Sequence, residues 1–296
     1  MASRMDLHMH SVYSDDGEYT PTELVDRCAE HGIQVMALAD HNCVRGVAEA
    51  GRRAAEQHLL LIPAVELDCV HQGVELHLLG YGIDITEPGF GEYEKNLREQ
   101  NRQASVKRIA KIEAMGIALD HDEMHRHARD GVVTPEAIAE SALHCTENAN
   151  HSVMQPYLPG GARADDAMLN FYWDIFAQGK VAYVPMVYMP LTEAVALIRR
   201  AGGVPVLAHP GNNIQMDAAI LTSIVDAGVV GVEAYSSYHS AEQTAFYRTE
   251  AEKRGLAVTC GSDFHGRVKP RIEVGSIDCE GREDEILTHL LSLREG

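Results

Sequence analysis

Positive charge is scarce in this sequence. Its 296 residues carry 25 Lys and Arg against 44 Asp and Glu, a formal net charge of −19, which argues against an unassisted grip on nucleic acid or on an anionic membrane. An anionic ligand would need positive charge from another source, and bound divalent cations would supply it. Long apolar runs are missing too. No stretch approaches the ~18 apolar residues of a membrane span, and the opening "MASRMDLHMH" has no apolar core of a secretory leader. Cysteine is present but unpatterned: Cys28, Cys43, Cys69, Cys145, Cys260 and Cys279 show no C-x-x-C and no regular spacing, and they read as reduced thiols of a cytoplasmic protein. No internal repeat or low-complexity tract is evident.

What is present is an alternation of short β-rich runs with helical stretches. The runs are "MDLHMH", "VMALAD", "LLLIPAVEL", "VELHLLGYG", "VPVLAHP", "GVVGVEAY" and "LAVTCGSDFH", seven expected strands. Thr20 before Pro21, with Glu23 following, opens a helix that Gly32 ends. Such alternation favours an α/β fold with a parallel sheet, open or closed into a barrel. The rhythm breaks over residues 92–180, where "EYEKNLREQNRQASVKRIAKIEAMG" and "DDAMLNFYWDIFAQGK" are long and helical. This predicts a helical insert at 92–180 within a domain formed by 1–91 and 181–296.

The stretch "MDLHMHSVYSDD" places His8 and His10 two apart on an expected strand, so their imidazoles share one face. Asp15 follows in the loop, Asp40 and His41 end the second strand, and Glu66 ends the third. His77 lies in the fourth, His209 follows "VPVLA", and Asp263 and His265 follow "AVTCGS". Ligand-type side chains thus gather at the C-terminal strand ends, the rim that carries the active site in parallel α/β barrels. Imidazoles with carboxylates and no thiolate suit Zn, Mn or Fe in a hydrolytic site. Cys43, close to His41, is read as packing. "HDEMH" at 121–125 lacks the Glu directly after the first His that a zinc-protease helix requires, and is read as a solvated helix face.

"DLHMHSVYSDDG", "ALADHN", "PAVEL", "HLLGYG", "AHPG" and "GSDFHG" together resemble the motif series of the PHP (polymerase and histidinol phosphatase) phosphoesterases, in the family's order. The resemblance implies a distorted (β/α)7 barrel with an inserted helical lobe, holding two to three divalent metal ions. It implies that His8, His10, Glu66 and Asp263 hold one metal, that Glu66 bridges to a second held by His77 and His209, and that Asp15, His41 and His265 hold a third. The implied activity is hydrolysis of phosphate esters by a hydroxide that the metals make available near neutral pH, with Asp263 orienting the nucleophile. His239, after the sixth strand, is expected at the active rim as a catalytic or substrate-contacting residue. Lys180, Arg108 and Arg163 of the insert are expected to contact substrate, Lys180 foremost.

Two segments depart from the branch of the family that acts on nucleoside 3',5'-bisphosphates. Thr134, Pro135 and Glu136 offer no guanidinium where that branch carries an Arg-containing segment, and Asn212 and Asn213 follow "AHPG" where a basic residue would serve a second phosphate. The expected substrate is therefore a small phosphorylated sugar or nucleotide: a ribose 1,2-cyclic phosphate 5-phosphate, or a nucleoside 3',5'-bisphosphate or monophosphate. A nucleic-acid polymer and a membrane are not expected partners. The alternatives are hydrolysis of a C–N bond by a similar metal centre and a metal-binding regulatory module without turnover.

Overall fold

The computed structural model describes residues 3–294. By compactness the chain forms two units, Met1–Glu94 with Tyr188–Gly296, and Lys95–Val187.

Along the first unit run β1 (Met5–Asp6), α1 (Pro21–Glu30), β2 (Val35–Leu38), α2 (Val47–Glu56), β3 (Leu60–His71) and β4 (Val74–Tyr81), then the start of α3 (Pro88–Ala114). The second unit holds the remainder of α3 with α4 (His121–His127), α5 (Pro135–His144) and α6 (Ala167–Phe171). The first unit resumes with β5 (Met189–Pro190), α7 (Leu191–Arg200), β6 (Val204–Leu207), α8 (Pro210–Asn213) and α9 (Ala218–Asp226). It ends through β7 (Gly231–Ser236), α10 (Ala241–Arg254), β8 (Ala257–Gly261) and α11 (Glu283–Ser292).

The sheet runs β1-β2-β3-β4-β6-β7-β8, with the two-residue β5 added beside β3. It nearly closes on itself as a barrel, because Leu7 N–H donates to Cys260 O at 3.1 Å and Met9 bridges to Phe264. The strand and helix alternation favours a parallel sheet, and β4 departs from that pattern by running antiparallel to both β3 and β6. The cause is local. β3 continues past Glu66 to His71, and only Gln72 and Gly73, at φ 50° and 82°, separate it from β4. Two successive left-handed residues make a hairpin turn, and no helix intervenes to return the chain in parallel.

Side-chain alternation along the strands gives two apolar layers. Ala37 and Ala39 belong to a cluster with Met5, Leu7, Ile62, Ala64, Val204 and Val206, which Ile286 and Leu290 of α11 also join. Met36 and Leu38 face the other way and pack with Leu24, Val25 and Cys28 of α1 and Ala50 and Ala54 of α2. Thr20 caps α1 with a full capping box: its Oγ1 accepts from Glu23 N–H while the Glu23 carboxylate accepts from Thr20 N–H.

The second unit has its own core of Ile112, Ile117, Met124, Ile138, Met154, Tyr157, Phe171 and Phe176. Its polar centre is the buried Asn148, which accepts from Ala118 N–H at 2.8 Å and donates to the carbonyls of Ala118 and Ala142. Thr134 and Pro135 begin α5, with Thr134 as its N-cap. "HDEMH" lies on α4, where His121 pairs with Glu113 at 2.8 Å. No helix among the described residues is long and apolar enough to cross a membrane.

Candidate metal centre

Among the described residues, three groups of side chains offer converging ligand atoms: His8, His10, Glu66 and Asp263; His10, Asp16, His41 and His265; and His41, Glu66 and His77. All belong to the barrel unit. His8 and His10 leave the end of β1, His41 follows β2, Glu66 lies within β3, and Asp263 and His265 follow β8. His77 reaches the same rim from the first half of the reversed strand β4, where it stands opposite Asp68 of β3.

Glu66 is the hub. Its carboxylate is fully buried, with Oε1 at 2.9 Å from His77 Nδ1 and 3.1 Å from His209 Nε2. Its Oε2 lies 3.1 Å from His8 Nε2, 3.2 Å from His10 Nε2 and 3.1 Å from His41 Nδ1. The two oxygens therefore face two different sets of imidazoles. Asp263 adds Oδ1 at 2.9 Å from His10 Nε2 and 3.3 Å from His8 Nε2.

The atoms turned inward lack hydrogen-bond partners. His8 Nε2, His10 Nε2, His41 Nδ1, His265 Nε2, Glu66 Oε2, Asp16 Oδ1, Asp68 Oδ1 and Asp263 Oδ1 are all buried in this condition. Leaving such groups unsatisfied is costly, and an all-nitrogen and oxygen set of this kind fits divalent cations.

The outward atoms, by contrast, are anchored. His8 Nδ1 donates to the buried Glu233 at 3.0 Å, His10 Nδ1 pairs with Ser14 Oγ at 2.9 Å, and His265 Nδ1 donates to Asp263 O at 2.8 Å. Each bond leaves Nε2 as the atom presented to the site. Glu233 also accepts from His209 N–H at 2.9 Å, and Gly261 lets the chain pass beneath, since a Cβ there would stand 2.2 Å from His8 Cβ and 2.3 Å from Glu233 Oε1. His209 and Asp263 have φ 23° and 58°, left-handed values that carry strain in non-glycine residues and gather at functional sites.

Electrostatics follow from this crowding. Burial alone would push Glu66 up, but the charges of His8, His41 and His77 hold it well below the usual carboxylate range. Burial would pull His8 down, yet Glu66, Glu233 and Asp263 keep it well above its ordinary value. His10 goes the other way, lowered to about 4 by burial and by the neighbouring His265 and His41.

Several expected site residues stand elsewhere. Asp15 is exposed and belongs to none of the three groups; Asp16 takes the position, because the loop turned by Ser14 N–H to Ser11 O directs the second aspartate inward. His239 is engaged on both nitrogens, with Nδ1 donating to Ala234 O at 2.9 Å and Nε2 accepting from Gly211 N–H at 2.9 Å. Its ring stacks on Tyr247. The neighbouring Tyr238 reaches the centre instead, donating to Asp263 Oδ2 at 2.5 Å. Asn213, one of the two departures, is tied to His209 Nδ1 at 3.3 Å and to Glu75 O.

Two residues escaped the sequence reading. Asp68, on the same face of β3 as Glu66, lies 3.6 Å from His41 Nδ1 and 3.5 Å from His77 Nε2; the two-residue spacing was its signal. Lys269 donates to Asp263 Oδ2 at 2.6 Å, and nothing in its local sequence marked it.

In the second unit Lys180 is exposed at a turn. Arg108 is buried, with Nη1 3.4 Å from Asn101 Oδ1. Arg163 places Nη2 and Nε at 3.1 and 2.9 Å from the two oxygens of Asp174 in a local ion pair.

A family model described as the PHP domain matches residues 6–149. A 3',5'-nucleoside bisphosphate phosphatase of Chromobacterium violaceum is 34% identical over 276 residues, which cover 92% of this chain and 91% of that one. The 5'-3' exoribonuclease Rnm of Escherichia coli is 30% identical over 279 residues, covering 91% and 87%. A solved structure from Chromobacterium violaceum, described as an amidohydrolase with bound sulfate and no metal, covers 97% of both chains at 29% identity and a TM-score of 0.80.

Proposed function

This chain belongs to the PHP family and is a metal-dependent phosphoesterase, and on that premise we propose that it hydrolyses a phosphate ester of a nucleoside 3',5'-bisphosphate with two to three divalent ions of Mn, Fe or Zn. The observation that carries the reading is the set of inward-facing ligand atoms without hydrogen-bond partners around Glu66. His8, His10 and Asp263 would share one ion with Glu66 Oε2, and His77 and His209 would hold a second with Glu66 Oε1. Asp16, His41 and His265 would hold a third. Bound there, divalent ions lower the pKa of water and offset the charge of a phosphate ester.

The chain's own residues do the remaining work. Glu233, Ser14 and the Asp263 carbonyl orient the imidazoles, and the left-handed turns at His209 and Asp263 aim their side chains inward. A small substrate fits the charge balance better than a polymer, because a surface with a net charge of −19 repels a polyanion. The bisphosphate phosphatase is 34% identical to this chain over an alignment that covers 92% of it, which supports the bisphosphate over the cyclic phosphodiester. The departures at Thr134 and Asn213 also have local explanations, as helix cap and as partner of His209.

The test is phosphorus NMR on Mn²⁺-loaded protein supplied separately with a nucleoside 3',5'-bisphosphate, ribose 5-phosphate 1,2-cyclic phosphate and a short 5'-phosphorylated RNA. Release of inorganic phosphate from the bisphosphate, faster than turnover of the other two, is the expected result. Preferred turnover of the cyclic compound or of RNA would overturn the substrate assignment, and inertness toward all three would overturn phosphoester hydrolysis itself.

A further inference from the structure

Asp263 is divided between two environments. Its Oδ1 faces His8 and His10 in the metal centre and has no hydrogen-bond partner, while its Oδ2 receives two donors, Lys269 Nζ at 2.6 Å and Tyr238 OH at 2.5 Å. Lys269 also sits over the Tyr238 ring, with Nζ 5.3 Å from its centroid, and Tyr238 in turn meets the His209 ring edge-on at 5.7 Å. The ammonium is largely enclosed, with 17% of its side chain exposed. A buried lysine is retained only where a charge partner offsets its desolvation, and Asp263 Oδ2 is that partner.

We infer that Lys269 and Tyr238 are positioning residues that clamp Asp263 by one oxygen so that only its Oδ1 is offered to metal. This rests on the reading of Asp263 as a ligand. A free carboxylate at the end of a strained left-handed turn could rotate to offer either oxygen or both. Two charge-assisted or short hydrogen bonds on Oδ2 remove that freedom. They also occupy the lone pairs Oδ2 would need in order to accept a proton, so the clamp makes Asp263 a ligand and not a general base. Tyr238 extends the same restraint to His209, on the other side of Glu66.

Two other roles for Lys269 make opposite forecasts. A bystander cation beside a metal centre repels divalent ions, so removing it would tighten metal binding. A lysine that contacts substrate phosphate would change KM and leave metal affinity alone. Only a positioning cation weakens metal binding when it is removed.

The experiment titrates Mn²⁺ into metal-stripped full-length protein by calorimetry, for wild type, Lys269→Met, Lys269→Arg, Tyr238→Phe, Asp263→Asn and the Lys269→Met/Asp263→Asn double variant, with kcat and KM measured in parallel. Lys269→Met is expected to weaken Mn²⁺ about 10- to 100-fold, the usual cost of losing a group that orients a ligand. Lys269→Arg should recover most of the loss, and Tyr238→Phe should lose less. In the Asp263→Asn background, Lys269→Met should add nothing, because its partner is gone. Tighter or unchanged Mn²⁺ binding in Lys269→Met, or a loss that adds fully to that of Asp263→Asn, would overturn the clamp. If Asp263→Asn itself binds Mn²⁺ as wild type does, Asp263 is not a ligand and the clamp falls with that assignment. Phosphoester hydrolysis is judged separately by the NMR assay.

Discussion

Asp16 Oδ2 lies 3.1 Å from His265 Nε2, joining the first βα loop to the last across the mouth of the barrel. His265, with His41 and His10, holds Asp16 below the usual carboxylate range despite its burial, while its neighbour Asp15 is exposed. Asp16→Asn is therefore expected to weaken the third metal position, lowering metal content toward two equivalents and kcat by about 10-fold or more. Asp15→Asn should leave both near wild type. Elemental analysis of the two variants beside steady-state kinetics checks the pair, and the reverse ranking would return Asp15 to the site.

Glu66 faces five imidazoles through two oxygens, whereas His265 belongs to one of the three ligand groups. Glu66→Ala should thus lower metal content by more than His265→Ala does. Chelation of the wild-type enzyme should abolish activity, and Mn²⁺ should restore it. Full activity after verified removal of metal would contradict the assignment of the centre.

Lys180 is exposed at a turn of the second unit, free of the ion-pair geometry that commits Arg163 to Asp174. A lysine that contacts substrate phosphate without entering the chemistry lowers ground-state and transition-state energies alike. Lys180→Met should therefore raise KM about 10-fold and change kcat little. A KM within twofold of wild type would place Lys180 among solvated lysines.

Asn148 supplies three hydrogen bonds to the backbone inside the helical unit. Truncation strands one N–H and two carbonyls, and Asn148→Ala is expected to destabilise that unit by about 3 kcal/mol. Denaturant unfolding followed at Trp173, the single tryptophan and a residue of the same unit, would read the loss. Metal binding at the barrel should survive it.

The residue types of the centre were legible because histidine and carboxylate stand at strand ends, and period-two alternation puts His8 and His10 on one face whatever the rest of the fold. The reversed strand was not. Its only mark was Gln72-Gly73 between two apolar runs, and the expected strand stopped at Leu67, which hid both the hairpin and Asp68. Between Asp15 and Asp16 no local rule chooses, because loop residues have no periodicity, and the direction of each side chain is set by the turn. His239 and Tyr238 share one loop, and it is Tyr238 that hydrogen-bonds Asp263.

The sequence by itself determined the α/β alternation, the donor chemistry of the site and the family, since each depends on residue type and spacing along the chain. The tertiary structure alone decided which aspartate joins the His41 and His265 cluster, which oxygen of Glu66 meets which imidazole, and that Lys269 closes on Asp263. Those relations join residues far apart in the chain, Asp16 to His265 and His8 to Glu233 among them, and only burial in one rim brings them within hydrogen-bonding distance. There the cost of an unpaired charge is high enough to select a single arrangement.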